Sequence, residues 1–249
     1  MGTKYSITDY FGGNLAELLS RKIVQAYPGF DSKNFISNVD NEVNNKTYTQ
    51  RIGIIAEQLK LFLPPDYKTS IKILVSILGD ENPNETGMFT NYYWILPIGK
   101  FVSEYGLNHY ETSIQAIEEI TKRNTGEYAI RPFIQQYPVE TITIMHKWAK
   151  SPDFHLRRLA SEGLRPKLPW APKLETFVHN PQPVFDILDI LKEDDILFVK
   201  KSVANHLTDW LKLNLQATSI FMEDWYQSDN RHTQWILQQA TRKIKPIRA

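Results

Sequence analysis

The chain has 249 residues, 42% of them hydrophobic and 23% charged, and a formal net charge of only +1. That length suits one large domain or one elongated repeat domain with a continuous core, and the near-neutral balance counts mildly against DNA binding, since strong nonspecific binders are usually more basic, so any DNA contact must come from a local patch. There is no cysteine, which removes disulfides and thiolate metal sites and fits a reducing, cytoplasmic compartment.

The start, Met1-Gly2-Thr3-Lys4-Tyr5-Ser6, lacks an apolar segment with a cleavage site, and no apolar run approaches the length of a membrane span. Amphipathic helical spacing then recurs along the chain, while strand and hairpin signals are scarce. Leu15, Leu18, Leu19, Ile23 and Val24 make a first stripe, and Ile52, Ile55, Ala56, Leu59 and Phe62 a second, stopped by Pro64-Pro65. Ile71, Leu74, Val75 and Leu78 follow, then Gly79 and a polar loop from Asp80 to Gly87. Ile95, Ile98, Val102 and Tyr105 run to Gly106, and Ile114, Ile117 and Ile120 run to the loop around Asn124 to Gly126. Prolines and glycines fall between stripes, where helices stop.

The second half reads as a degenerate repeat. Phe154-His-Leu-Arg157-Arg158-Leu-Ala-Ser161-Glu162 can be laid over Leu197-Phe-Val-Lys200-Lys201-Ser-Val-Ala-Asn205, each after an acidic start, Asp153 or Asp194-Asp195. Weaker echoes stand at Glu127 to Phe133 and at Asn230 to Ile236, and another helical stripe precedes each unit, for example Ile142, Met145 and Trp148 before Phe154, or Val184, Ile187, Leu188 and Leu191 before Leu197. Paired helices with aligned basic positions predict an all-α, HEAT-like repeat solenoid with a concave face.

A lone Arg-Arg pair reads as a solvated helix face. Recurrence of Arg157-Arg158 at Lys200-Lys201, with Arg131 at a third unit, makes a row of cations able to track a phosphate backbone an equal alternative. Taken singly, Glu162 is a partner for Arg158 at i−4, Trp170 after Leu168-Pro169 is a core plug, and Asp209 is a solvent-facing acid. The histidines show no paired metal-ligand spacing, and phosphate-binding loops, dinucleotide glycine fingerprints and nucleophile elbows are absent.

The segment Arg157-Arg-Leu-Ala-Ser-Glu162-Gly-Leu-Arg165-Pro-Lys-Leu-Pro-Trp170-Ala171 resembles the DNA alkylation repair family with HEAT-like repeats, in particular its AlkC branch within the AlkC/AlkD superfamily. Glu127-Tyr-Ala-Ile-Arg131-Pro132-Phe133, Lys200-Lys201-Ser-Val-Ala-Asn-His-Leu-Thr-Asp209 and His232 to Ile236 extend the resemblance, which covers the chain from about Phe30 onward. Leu164 and Lys167 stand where the pattern has Cys and Arg, and Trp210 to Asn214 replaces a more polar stretch.

The resemblance implies a DNA glycosylase of base excision repair that removes cationic N-alkylated bases such as 3-methyladenine, without full base flipping and without a metal or organic cofactor. It carries Glu127, Glu162, Trp170 and Asp209 onto active-site positions. An alkylated purine is already a good leaving group, and its departure leaves an oxocarbenium-like sugar that carboxylates stabilise electrostatically and an aromatic face by cation–π attraction. Asp209 or Glu162 would orient the water, with Glu127 as electrostatic support. Arg131, Arg157, Arg158, Arg165, Lys200 and Lys201 are the candidates for phosphate contact, Arg158 and Lys201 foremost. The expected partner is DNA containing alkylated bases, bound by a monomer whose residues 1–249 form one domain with no further C-terminal domain. The alternatives are a noncatalytic repeat protein that binds DNA structures and a protein-binding solenoid.

Overall fold

The computed structural model describes residues 6–87 and 89–242. The chain's start and end, on which the expectations about a leader and a further domain rest, lie outside them. Among the described residues the regular structure is entirely helical, and the chain divides into two compact units, one ending at Ala129 and one beginning at Ile130.

The first unit contains α1 (Gly13–Ala26), α2 (Ser32–Glu42), α3 (Tyr48–Phe62), α4 (Tyr67–Ser76), the short α5 (Phe89–Tyr92), α6 (Leu96–Tyr105) and α7 (Tyr110–Thr121). Its starts are chemically marked: the Asp31 and Asp66 carboxylates accept the backbone N–H of Asn34 and Thr69, caps that contribute about 1 kcal/mol each. The predicted stripes turn inward, so that Leu15, Leu19, Ile55, Leu59, Ile98 and Ile117 are fully buried, each worth about 1.5–3 kcal/mol of transfer free energy. No apolar stripe is legible between Val24 and Ile52, where α2 lies. Only Phe35 and Val39 of that polar helix are buried, too few to register as a period. Gly106 ends α6 where a Cβ would collide with the Tyr67 and Ser113 hydroxyls and the Val102 carbonyl.

The second unit contains α8 (Arg131–Gln136), α9 (Pro138–Ala149), α10 (Phe154–Glu162), α11 (Gln182–Ile190), α12 (Leu197–Leu213), α13 (Leu215–Tyr226) and α14 (Arg231–Thr241). Helix α12 packs against both α10 and α14, and α9 packs against α8, α10 and α11. The aligned segments therefore form a row, α10–α12–α14. Asp153 caps α10 through the N–H groups of His155 and Leu156, and Asn230 caps α14 through those of His232 and Thr233. Asp194 serves α12 from two residues before the N-cap Ile196, whose N–H it accepts at 3.0 Å. The uninterrupted run of α12 to Leu213 buries Trp210, which explains the apolar stretch after Asp209.

Candidate functional site

Helices α10 and α12 meet along matching polar stripes. Arg158, Ser161 and Glu162 follow i, i+3, i+4 spacing on α10, and Ser202, His206 and Asp209 follow i, i+4, i+7 on α12, so each set shares one face; Arg165 stands three residues past the end of α10. Ser202 Oγ lies 2.6 Å from Glu162 Oε2 and 2.9 Å from Ser161 Oγ. With one proton to give, Ser202 donates to the carboxylate and accepts from Ser161. Ser161 Oγ is in turn 3.5 Å from Nδ1 of His206, which is completely buried. Arg165 joins the two helices: Nη1 donates to Glu162 Oε1 at 2.7 Å and Nε to Asp209 Oδ2 at 2.8 Å. Arg158 reaches Glu162 at 3.7 Å and lies over the Phe198 ring at 4.5 Å.

Removing such ions from water costs several kcal/mol each unless partners compensate. For Glu162, burial pushes the carboxyl up, but Arg158, Arg165 and the Ser202 hydroxyl hold it below the ordinary value. For Asp209, burial wins and the carboxyl rises above its ordinary value despite Arg165. Burial and the nearby Arg165 guanidinium keep His206 well below the usual imidazole range, hence neutral. Two carboxylates of opposite tendency thus share one guanidinium.

Trp170 does not plug the core. It is 73% exposed and adopts φ 61°, a left-handed conformation that a bulky residue enters only when its surroundings impose it. The loop carrying it is closed by Leu174 N–H to the Pro166 carbonyl at 3.0 Å and anchored by buried Leu168 and Leu174. Arg131 clamps both ends: its guanidinium donates to the carbonyls of Gly163, Arg165 and Pro172 at 3.4, 2.9 and 2.6 Å. Gly163 makes this turn possible, since a Cβ there would stand 2.9 Å from Ile130 Cγ2.

The cationic row divides by position. Arg157, the first of its pair, forks onto Asp194 at 2.6 and 3.4 Å and donates to the carbonyls of Ser151 and Pro152. Lys200, its counterpart, donates to His232 Nδ1 at 2.9 Å and lies 5.7 Å from the Trp235 ring centre. Both therefore tie one helix of the row to the start of the next. Of the second positions, Arg158 sits between Glu162 and Phe198, and Lys201 is exposed. Arg131, 6% exposed, and Arg165 face protein carbonyls and carboxylates rather than solvent. Glu127 belongs to the first unit, is 7% exposed and accepts the Thr125 hydroxyl proton.

The structure thus brings together Glu162, Asp209, Arg158 and Arg165. Ser161, Ser202 and His206 carry no site role in the sequence pattern, and Asp194 reads there only as an acidic helix start. A signal for Ser202 was available: in the repeat alignment it falls opposite Leu159, which is fully buried, so a polar group occupies a core position.

The chain is 31% identical over 239 residues to the uncharacterized protein YhaZ of Bacillus subtilis (strain 168), covering 96% of this chain and 64% of that protein. Among solved structures it is similar to the Pseudomonas fluorescens alkylpurine DNA glycosylase AlkC bound to DNA containing an abasic site analog, with TM-score 0.86, 30% identity, and coverage of 96% of this chain and 65% of that one. The chain therefore shares the helical-repeat fold and spans a little under two thirds of these relatives' lengths. The sequence pattern described as DNA alkylation repair enzyme matches residues 94–244, and the chain belongs to that family.

Proposed function

We propose that this chain is a DNA glycosylase that hydrolyses the N-glycosidic bond of cationic N-alkylated purines of the 3-methyladenine type. The observation that carries the reading is the pairing of Glu162 and Asp209 through one buried guanidinium, 2.7 and 2.8 Å away. Such an arrangement holds negative charge ready in a low-dielectric place, where it acts most strongly on a cation. The likeness to an alkylpurine glycosylase held on DNA supports it.

In this reading the alkylated base leaves without prior protonation, because it already carries positive charge. Positive charge then develops on the sugar, and Glu162, held ionised by its two arginines, opposes it. Asp209, whose raised carboxyl value lets it take a proton more readily, is the better acceptor for the proton of the attacking water. Trp170, presented on its clamped loop, offers an aromatic face to a cationic base. Arg158 and Lys201, on neighbouring helices of the α10–α12–α14 row, are the phosphate contacts of first choice. Glu127 is retained as a supporting acid on the family resemblance.

One observation favours a noncatalytic DNA binder instead: both Glu162 oxygens are already engaged by protein groups. A single assay separates the two. Purified protein is incubated with DNA methylated at adenine N3, and free base is measured for the native chain, Glu162→Gln, Asp209→Asn and Trp170→Ala. Absence of release by the native chain would sink the glycosylase reading, and release undiminished in all three variants would sink the site.

A further inference from the structure

We propose that Arg165 is a positioning residue, a buried cation that sets the spacing and ionisation of Glu162 and Asp209, and not a contact to the DNA backbone. The inference rests on the glycosylase reading for its consequence on rate, but not for its geometry. Glu162 ends α10 and Asp209 lies on α12, so no local covalent geometry fixes the separation of their carboxyl groups. The rigid fork of Arg165 does so, with Nη1 on one acid and Nε on the other.

The fork is itself held. Arg131 donates to the carbonyl of Arg165 at 2.9 Å and to that of Gly163 at 3.4 Å, and Arg165 as a whole is 9% exposed. Two of its donors are spent on the carboxylates, and turning the buried guanidinium outward to a phosphate would break both charge-assisted bonds and strand two carboxylates in a buried place. Lys201, exposed on the neighbouring helix, has no such obligation. Two nearby carboxylates without a cation between them would also raise one another's proton affinity until one took up a proton. With Arg165 in place both can remain charged, which a site that stabilises a cation requires.

The charged groups acting on Asp209 are Arg165, Glu162 and Lys212; those acting on Glu162 are Arg158, Arg165 and, in return, Asp209. Three measurements on the full chain test the assignment, with Arg165→Gln and Arg165→Lys as variants. Single-turnover release of base from DNA methylated at adenine N3 is followed across pH. Binding of the same DNA is followed across salt, and the side-chain carboxyl signals are titrated by NMR in the free protein. For Arg165→Gln, release at saturating protein is expected to fall roughly 100-fold, as for a misplaced reacting group, with DNA affinity changed less than about threefold and the salt slope unmoved. The acid limb of its rate profile and the Asp209 titration both move to higher pH, because the cation that opposed protonation is gone.

Arg165→Lys keeps the charge but not the fork. Its acid limb is expected to stay in place while the rate falls about tenfold, and it serves if the glutamine variant does not fold. Release retained in either folded variant overturns the proposal. So does a loss confined to DNA affinity with a salt slope lower by about one, the mark of a phosphate contact. If the native chain releases no base, the glycosylase reading falls by itself. The NMR arm still decides, since an Asp209 titration unchanged in Arg165→Gln overturns the positioning role regardless of activity.

Discussion

The two units bury polar groups in different ways. In the first, the buried polar side chains among the described residues are neutral, such as Gln58, Ser70, Ser113, Thr121 and Asn124, with Glu127 the exception. Tyr67 is representative: stacked on Phe101 and His109, it hydrogen-bonds Ser113 at 2.7 Å, and burial pushes its hydroxyl up to about 12. In the second unit Arg131, Glu162 and Arg165 are buried and Asp209 is nearly so. Neutral hydrogen bonds suffice to close a helical core, and buried charges are expensive. Their concentration where α10 meets α12 marks the place where packing is not the only requirement, and the lone buried acid of the first unit is one that the family resemblance also singles out.

The contrast is tested most severely by activity. Glu162→Gln is expected to lower base release by about 100- to 1,000-fold, as for loss of a preorganised electrostatic group, while Glu127→Gln costs about tenfold in keeping with a supporting role. Equal losses would put the first unit's acid on the same footing as the second's. Stability gives the next largest difference. Arg131→Met is expected to destabilise by about 3 kcal/mol because carbonyls at Gly163, Arg165 and Pro172 lose a charged donor, whereas Tyr67→Phe costs about 1 kcal/mol. Urea unfolding of each variant measures both, and similar values would erase the distinction between charged and neutral burial.

The pH dependence of stability then separates the two acids by sign. Glu162 titrates below its ordinary value when folded, so its contribution is present above the unfolded value and disappears as pH falls through the folded one. The cost of Glu162→Gln should therefore shrink on acidification below the ordinary carboxylate range. Asp209 titrates above its ordinary value, so its contribution is present below the unfolded value and lost as pH rises through the folded one. Asp209→Asn should accordingly cost less at neutral pH than Glu162→Gln, and thermal unfolding at several pH values shows which order holds. The smallest effect belongs to the surface: Lys201→Ala is expected to reduce the salt slope of DNA binding by about one with base release at saturation unchanged. Arg157→Ala, by contrast, breaks the Asp194 tie and should appear in the unfolding curve.

Much of this molecule is readable from residue order. Helices announce themselves through stripes such as Leu15–Leu19–Ile23 and through caps such as Asp153 and Asn230, because helical period and end chemistry are local properties. The repeat of Phe154 to Glu162 at Leu197 to Asn205 foretells that α10 and α12 are equivalent, and they pack side by side. Family resemblance supplies the acids and Trp170 as candidates. What residue order leaves open is partnership. Arg157 and Arg158 are adjacent in sequence, yet one is consumed by Asp194 and the other lies beside Glu162, since a helix turns about a quarter of the way round its axis per residue. Arg131 and Arg165 read as surface cations until the carbonyls of a loop and the carboxylates of two helices are seen to surround them. Residue order alone carries the helices, their pairing and the kinds of side chain at the site. Which charges are spent on the fold and which remain for a ligand is set by packing, because that division depends on contacts between residues far apart in the chain.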